Sequence, residues 1–307
     1  MKLAILTTGR QDWGILSSTY RLIKPEVIRW SNPGGNVITQ CSESLESIGN
    51  QLERLRPDAL LLVGDRYETL SAALSATVLR IPLIHLHGGE VTEGAFDDQI
   101  RGAVTKLSHL HLVSSEQHRR NVIRMGEDPD TVHVVGAPGT DNAFRGDLIG
   151  RGQLERLIGC SLTAPVHLYI VHPETLSSVD VVAQAILHKR EHESVCPTPL
   201  AIMPNQDPGS VEVRRRMQEA FPFWVEALSE VEYWSLLKHT DLLVGNSSSL
   251  VVEAPSLGIQ TKLLGIRQSG RTPPMPADGK CAERIRDVLA SWSPPNPPRK
   301  RLTPLAG

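Results

Sequence analysis

Residues 85–94 read HLHGGEVTEG and follow directly on the apolar run IPLI, so two histidines, a glycine pair and a glutamate crowd the end of a buried strand. Three chemistries use such groups: metal ligation, anion binding and proton transfer. A metal would want three ligands converging on one face, commonly with a cysteine or with histidines at helical spacing, and HxHxxE meets that geometry only loosely. A glycine turn built to hold an anion would not end in a glutamate. Proton transfer fits better. Glu90 is joined by Asp97 and Asp98 of FDDQIR and by Asp65 of VGDRYE. Carboxylates crowded in a cleft have their pKa values pushed apart, so that one serves as a base while another serves as an acid. On this reading His85 and His87 pack and hydrogen-bond so as to hold Glu90 in place. Each carboxylate also has a plainer use. One of Asp97 and Asp98 could be charge at a helix start, and Asp65-Arg66 could be an Asx turn with a solvated arginine. If functional, Asp65 moves a proton and Arg66 meets a phosphate.

The second half of the chain offers the same kinds of group. IVHPET puts His172 just past an apolar run, as a cap or as a proton-transfer group. GNSSSLVVEAPSLG begins at Gly245 and places three serines where a strand turns into a helix. Backbone N–H groups at a helix start, with the hydroxyls of Ser247 and Ser248, would hold an anion. A helix cap needs one hydroxyl, so three favour a phosphate. Glu253, one to two turns further on, is either an exposed helix glutamate or an acceptor for a ribose diol.

The elements that must position these groups follow from hydrophobic pattern. Apolar runs at 3–7, 59–63, 82–86, 110–114 and 132–136, and again at 166–171, 199–203, 241–245 and 261–265, read as strands alternating with helices such as 43–56 and 115–125. That is an α/β pattern with open parallel sheets. The loop GAPGTDN at 136–142 divides it into two Rossmann-like domains, 1–145 and 146–307. The polar clusters fall at strand ends, where open α/β sheets bind ligands, which predicts one site facing a cleft between the domains. The proline-rich stretch from about 293 has no apolar periodicity and is expected to fray. A formal net charge of -2 over 307 residues gives no basic field for nucleic acid or an anionic membrane. Four scattered cysteines without a CxxC pair suggest neither zinc nor disulfides and fit a reducing cytoplasm. No apolar segment is long enough for a signal sequence or a membrane span.

The blocks GDRYETLSAA, IPLIHLHGGEVTEGAFDDQIRGAVTKLSHLHLVSSEQHRRNVIRMGE, VHPET, PNQDPGS and LLKHTDLLVGNSSSLVVEAPSLGIQTKLLGIRQSGR together resemble the UDP-N-acetylglucosamine 2-epimerases, and especially their hydrolysing branch, which opens sialic-acid biosynthesis. The resemblance runs in blocks from Met1 to about Arg271. It implies a GT-B fold, a UDP-sugar substrate, free 2-epimeric sugar and UDP as products, no cofactor and no metal for chemistry, and a homo-oligomer, dimer or tetramer. Carried over residue by residue, it places Asp65, Glu90, Asp97 and His172 at the catalytic positions and Arg10, Arg66, Asn205, Ser247, Ser248, Glu253 and Arg267 at the UDP-binding ones. The chain departs from the family pattern in a shortened N-terminal portion bridged by SNPGGN, in Gly102 where a histidine is usual, and in Leu250 where NSSSG is usual. The other readings are a non-hydrolysing 2-epimerase and a nucleotide-sugar-binding paralogue that has lost catalysis.

Overall fold

The computed structural model describes residues 1–31, 34, 36–92, 96–163, 165–174, 178–204 and 209–300, and the side chains of Arg10 and Gln11 fall outside the description. Two units emerge. The first comprises Met1–Val91, Phe96–Asp141 and the chain from Ala277 onward; the second comprises Asn142–Pro276 with the short stretch at 92–95.

In the first unit the elements run β1 (Leu3–Thr7), α1 (Arg10–Ile23), β2 (Glu26–Arg29), α2 (Val37–Leu55), β3 (Ala59–Val63), α3 (Tyr67–Val78), β4 (Leu83–Leu86), α4 (Asp97–Leu107), β5 (Leu110–Val113), α5 (Glu116–Arg124) and β6 (Val132–Val134). The six strands form a parallel sheet in the order β2-β1-β3-β4-β5-β6. Its central strands are apolar without alternation because both faces are covered. Leu60 and Leu62 point into one core with Ile48, Leu52 and Leu83, while Leu61 points into the other with Ile5, Leu16 and Ile84. The helix α2 shows why its sequence lies where it does: Gln40, Ser44, Ile48 and Leu52 are its buried residues, a four-residue repeat that lines one face. Asn36 caps its start by accepting the Thr39 N–H at 2.9 Å.

The second unit runs α6 (Arg151–Ile158), β7 (His167–Ile170), α7 (Val181–Glu191), β8 (Leu200–Ile202), α8 (Ser210–Ala220), β9 (Phe223–Val225), α9 (Glu230–Leu237), β10 (Leu242–Gly245), α10 (Glu253–Ser256) and β11 (Gln260–Leu263). Its parallel sheet has the order β11-β10-β7-β8-β9.

Three expectations are corrected. The domain expected to span 146–307 stops at Pro276, because α11 (Cys281–Ser291) returns to the first unit. Asp141 draws it there: its carboxylate accepts the Cys281 and Ala282 N–H groups at 3.0 and 2.8 Å, capping the helix from a distant loop. Ile285 and Leu289 then enter the same core as Ile5, Leu16 and Leu61. The tail does not fray at 293, since Lys300 donates to the Thr105 and Lys106 carbonyls at 2.9 and 2.6 Å and pairs with the buried Glu127 at 2.7 Å. An ammonium at the end of α4 also complements the helix dipole. Finally, β2 and β9 were absent from the sequence reading. Each is a short edge strand: β2 mixes charged with apolar residues, and β9, though apolar, is only three residues long and partly exposed, so neither reads as a central strand.

Candidate active site

Each unit carries its own cluster at the carboxyl ends of its strands. In the first, the centre is a residue that the sequence reading did not single out. Arg101, on α4 and only 3% exposed, donates through Nη1 to the Glu90 carbonyl and to Asp98 Oδ1, each at 2.7 Å, and through Nη2 to the Asp65 carboxylate. Burial works against this cation, but the charges of Asp65, Glu90 and Asp98 overcome it and hold its pKa above the ordinary value. A buried charge is tolerated only when paired and hydrogen-bonded in this way. Of the two adjacent aspartates it is Asp98 that reaches Arg101, while Asp97 opens α4 half-buried. One signal was available in the sequence: Arg101 shares a helical face with Val104 and Thr105, where a lone arginine is out of place unless it has buried partners.

Glu90 lies deeper than a carboxylate open to substrate. Its side chain is 3% exposed, with Oε1 at 2.7 Å from His87 Nδ1 and 3.2 Å from Ser114 Oγ. Ser114 Oγ is also 2.8 Å from His118 Nδ1. His87 sits at φ 66°, a left-handed conformation that costs a non-glycine residue on the order of 1 kcal/mol or more. The glycine pair is steric in origin. A Cβ on Gly89 (φ 75°) would meet the His118 carbonyl oxygen at 2.4 Å, and one on Gly88 would meet His85 Nδ1 at 3.0 Å and Thr105 Oγ1 at 3.1 Å.

His85 does not hold Glu90. It is fully buried, with Nε2 at 2.8 Å from the Gly64 carbonyl and Nδ1 at 3.0 Å from Thr105 Oγ1. His85 and His87 therefore serve different partners, and HLHGGE is not a convergent ligand set. Arg66 is engaged as well: its guanidinium grips the buried Glu68 through Nε at 3.2 Å and Nη2 at 2.9 Å. Burial would lower its pKa, but the Glu68 hydrogen bond and charge raise it, with Asp12 adding to the effect. The side chain of Arg10 lies outside the described residues.

In the second unit β7 and β10 end side by side, and a side chain ties them. Asn246, fully buried, accepts the His172 N–H at 2.7 Å and donates to the His172 carbonyl at 2.9 Å, copying a strand partner after the strands have ended. Gln268 holds the Asn246 carbonyl at 3.0 Å. Glu174 Oε1 accepts the Ile266 and Arg267 N–H groups at 3.0 and 3.2 Å, and Arg267 Nη1 donates to the Pro173 carbonyl at 3.1 Å. His172, Asn246 and Arg267 thus stand together, whereas Asn205 lies outside the described residues.

The three serines divide their labour. Ser247 Oγ caps the turn by accepting the Ser249 N–H at 3.3 Å, and Ser249 accepts the Tyr233 hydroxyl at 2.6 Å. Burial, reinforced by the charge of Glu253, holds the Tyr233 phenol well above its usual pKa, so it stays a donor. Ser248 alone is exposed. The helix expected after them is a 3-10 turn, Ser248–Leu250, followed by the four-residue α10, so the dipole there is small. A cavity of about 730 Å³ opens at the opposite edge of this sheet, lined by His167, Asp241 and Gln260. Strand starts are not where open α/β sheets bind their ligands, and none of the candidate residues lines it.

The family profile described as UDP-N-acetylglucosamine 2-epimerase matches residues 10–275. The chain belongs to that family. Among curated relatives of this chain, "UDP-N,N'-diacetylbacillosamine 2-epimerase (hydrolyzing)" of Legionella pneumophila is 34% identical over 88% of the chain and 74% of its own length. "Polysialic acid biosynthesis protein P7" of Escherichia coli is 36% identical over 77% of the chain. The alignment takes in 62% of that protein. A crystal structure of the Neisseria meningitidis UDP-GlcNAc 2-epimerase bound to UDP-GlcNAc superposes with a TM-score of 0.82 at 16% identity, over 95% of this chain and all of that one. The GT-B-like class expected from sequence is therefore the fold of this chain. No described helix is long and apolar enough to cross a membrane.

Proposed function

We propose that this chain is a hydrolysing 2-epimerase: it converts a UDP-linked N-acetylhexosamine and water to the free 2-epimeric sugar and UDP. The observation that carries this reading is the buried Arg101, which binds the Asp65 carboxylate and the Glu90 carbonyl and so gathers proton-transfer groups at adjacent strand ends. An enzyme that only bound a nucleotide would have no use for them. The names of the Legionella and Campylobacter jejuni relatives, both hydrolysing 2-epimerases, support the same branch.

The C2 hydrogen of an N-acetylhexosamine is not next to a carbonyl, so simple deprotonation and return would pass through an unstabilised carbanion. Elimination avoids it. A carboxylate takes the C2 proton, the C1–O bond breaks, the electron pair leaves with UDP, and C1 and C2 become doubly bonded. Water then adds its oxygen to C1, and a proton is delivered to C2 from the opposite face. Asp65 and the Glu90–His87 pair are the groups for these two transfers, with Asp97 beside them at the start of α4. In the other unit His172 works at the sugar, while Ser248, Ser247 and Arg267 take the charge growing on the leaving phosphate, and Glu253 takes the ribose. Arg10, Arg66 and Asn205 complete the UDP contacts. The substrate is UDP-N-acetylglucosamine or a 2,4-diacetamido analogue. Turnover in heavy water, followed by NMR, is expected to give 2-deuterated free sugar and UDP in equal amounts. Product that keeps its C2 hydrogen, or stays UDP-linked, would reject the hydrolysing reading.

A further inference from the structure

Asp65 is held to α4 by its carboxylate, through Arg101. A second link runs through the backbone of the same turn. His85 is fully buried on β4, its Nε2 lies 2.8 Å from the carbonyl of Gly64, the residue before Asp65, and its Nδ1 lies 3.0 Å from Thr105 Oγ1. A carbonyl only accepts, so Nε2 carries the proton and Nδ1 accepts from the threonine hydroxyl. Thr105 is four residues after Arg101, hence on the same face of α4, and both are buried. We propose that His85 is a positioning residue for Asp65: its ring ties the Gly64 carbonyl to Thr105, so that the backbone and the carboxylate of one turn are registered on one helix.

Two observations support the assignment independently. Gly88 packs over the link, since a Cβ there would press on both His85 Nδ1 and Thr105 Oγ1. Burial also depresses the His85 pKa to about 3, so the ring stays neutral and its tautomer does not change across the working range. A carboxylate that removes a carbon-bound proton needs close alignment, and a displacement of about 1 Å can cost about 100-fold.

The proposal rests on Asp65 taking part in proton transfer, and its test separates the two. Four variants, His85→Leu, His85→Gln, Thr105→Val and Asp65→Asn, together with the His85→Leu/Asp65→Asn double variant, would be assayed for kcat, KM and UDP affinity. The substrate would be whichever of UDP-N-acetylglucosamine and UDP-N,N'-diacetylbacillosamine the wild type turns over. His85→Leu and Thr105→Val are expected to lower kcat about 10- to 100-fold with KM and UDP affinity within about threefold. His85→Gln, which restores an N–H toward Gly64, is expected to recover most of the loss. In the Asp65→Asn background His85→Leu should cost less than about threefold, because the group it positions has already gone. A merely structural histidine would lower the rate by the same factor in both backgrounds, and that result overturns the proposal. Should His85→Leu fail to fold, unchanged kcat in Thr105→Val overturns it equally. If Asp65→Asn itself keeps full turnover, the reading of Asp65 falls and the proposal falls with it. Loss of turnover in Asp65→Asn with no loss in Thr105→Val and His85→Leu rejects the positioning role alone.

Discussion

The residues of this chain sort by what they touch. The placing of Asp65 and Glu90 just past β3 and β4 was legible in the sequence because each follows an apolar run by one to a few residues, whereas the bridges made by Arg101 and Asn246 were not. Both act by bridging segments far apart in the chain, and no local spacing announces a bridge. What the sequence did not show for Glu90 is that its carboxylate is buried against His87 and Ser114. For Asp65→Asn, Glu90→Gln and His172→Ala, losses of about 100- to 10,000-fold in kcat are expected, with UDP affinity kept within about tenfold. Calorimetric titration with UDP beside steady-state kinetics checks the split. The serines divide differently. Ser248→Ala should weaken UDP binding without changing stability, whereas Ser247→Ala, which also removes a cap, should cost about 1 kcal/mol in denaturant unfolding. Equal unfolding midpoints for the two would contradict the capping role.

Among the elements, the central strands were readable because strands buried on both faces are continuous apolar runs. The edge strands β2 and β9 were not, being three or four residues long with little buried surface. The turn after β10 was misread as a helix start because a serine run suits either a helix or a 3-10 turn. What fixes that turn is a glycine. Gly245 sits at φ 143°, and a Cβ there would lie 1.9 Å from the Ile170 carbonyl oxygen, inside the adjoining strand β7. Gly245→Ala must therefore part the strand ends that Asn246 ties together. A loss of about 3 kcal/mol or more is expected in equilibrium denaturation. A change within experimental error would mean that β7 and β10 separate there without cost.

At the scale of the whole molecule, buried neutral histidines make stability depend on acidity. Burial lowers the pKa of His85 from its ordinary 6.5 to about 3, and that of His111 in the same direction. The unfolded chain binds these protons near pH 6.5 while the folded one refuses them. The stabilisation is therefore complete above about 6.5 and is lost as pH falls below it, for His85 down to about 3, at roughly 1 kcal/mol per pH unit at most. Glu127 acts in the same sense at lower pH. Burial would raise it, but hydrogen bonds from His111, Lys106 and Lys300 pull it down to about 2, so its contribution is lost below its ordinary value of 4.5. Urea midpoints should fall between pH 7 and 5.5, and His85→Gln should flatten that fall. A midpoint independent of pH over this range would show that the rings take up protons in the folded state.

The return of α11 to the first sheet sets an order of events during synthesis. The second unit is, apart from the stretch at 92–95, one uninterrupted run that ends at Pro276, so it can close as soon as it leaves the ribosome. The first unit, although translated earlier, waits for Ile285 and Leu289, which share the core of Ile5 and Leu16. Until they arrive, the nascent sheet carries an open apolar seam along α1. A chain released at residue 276 should accordingly bind a hydrophobic dye and be cleaved by protease within the first hundred residues, while its second half resists. Of the two units, the one translated earlier is thus the later to become protease-resistant, and the interval is one in which a chaperone would find it.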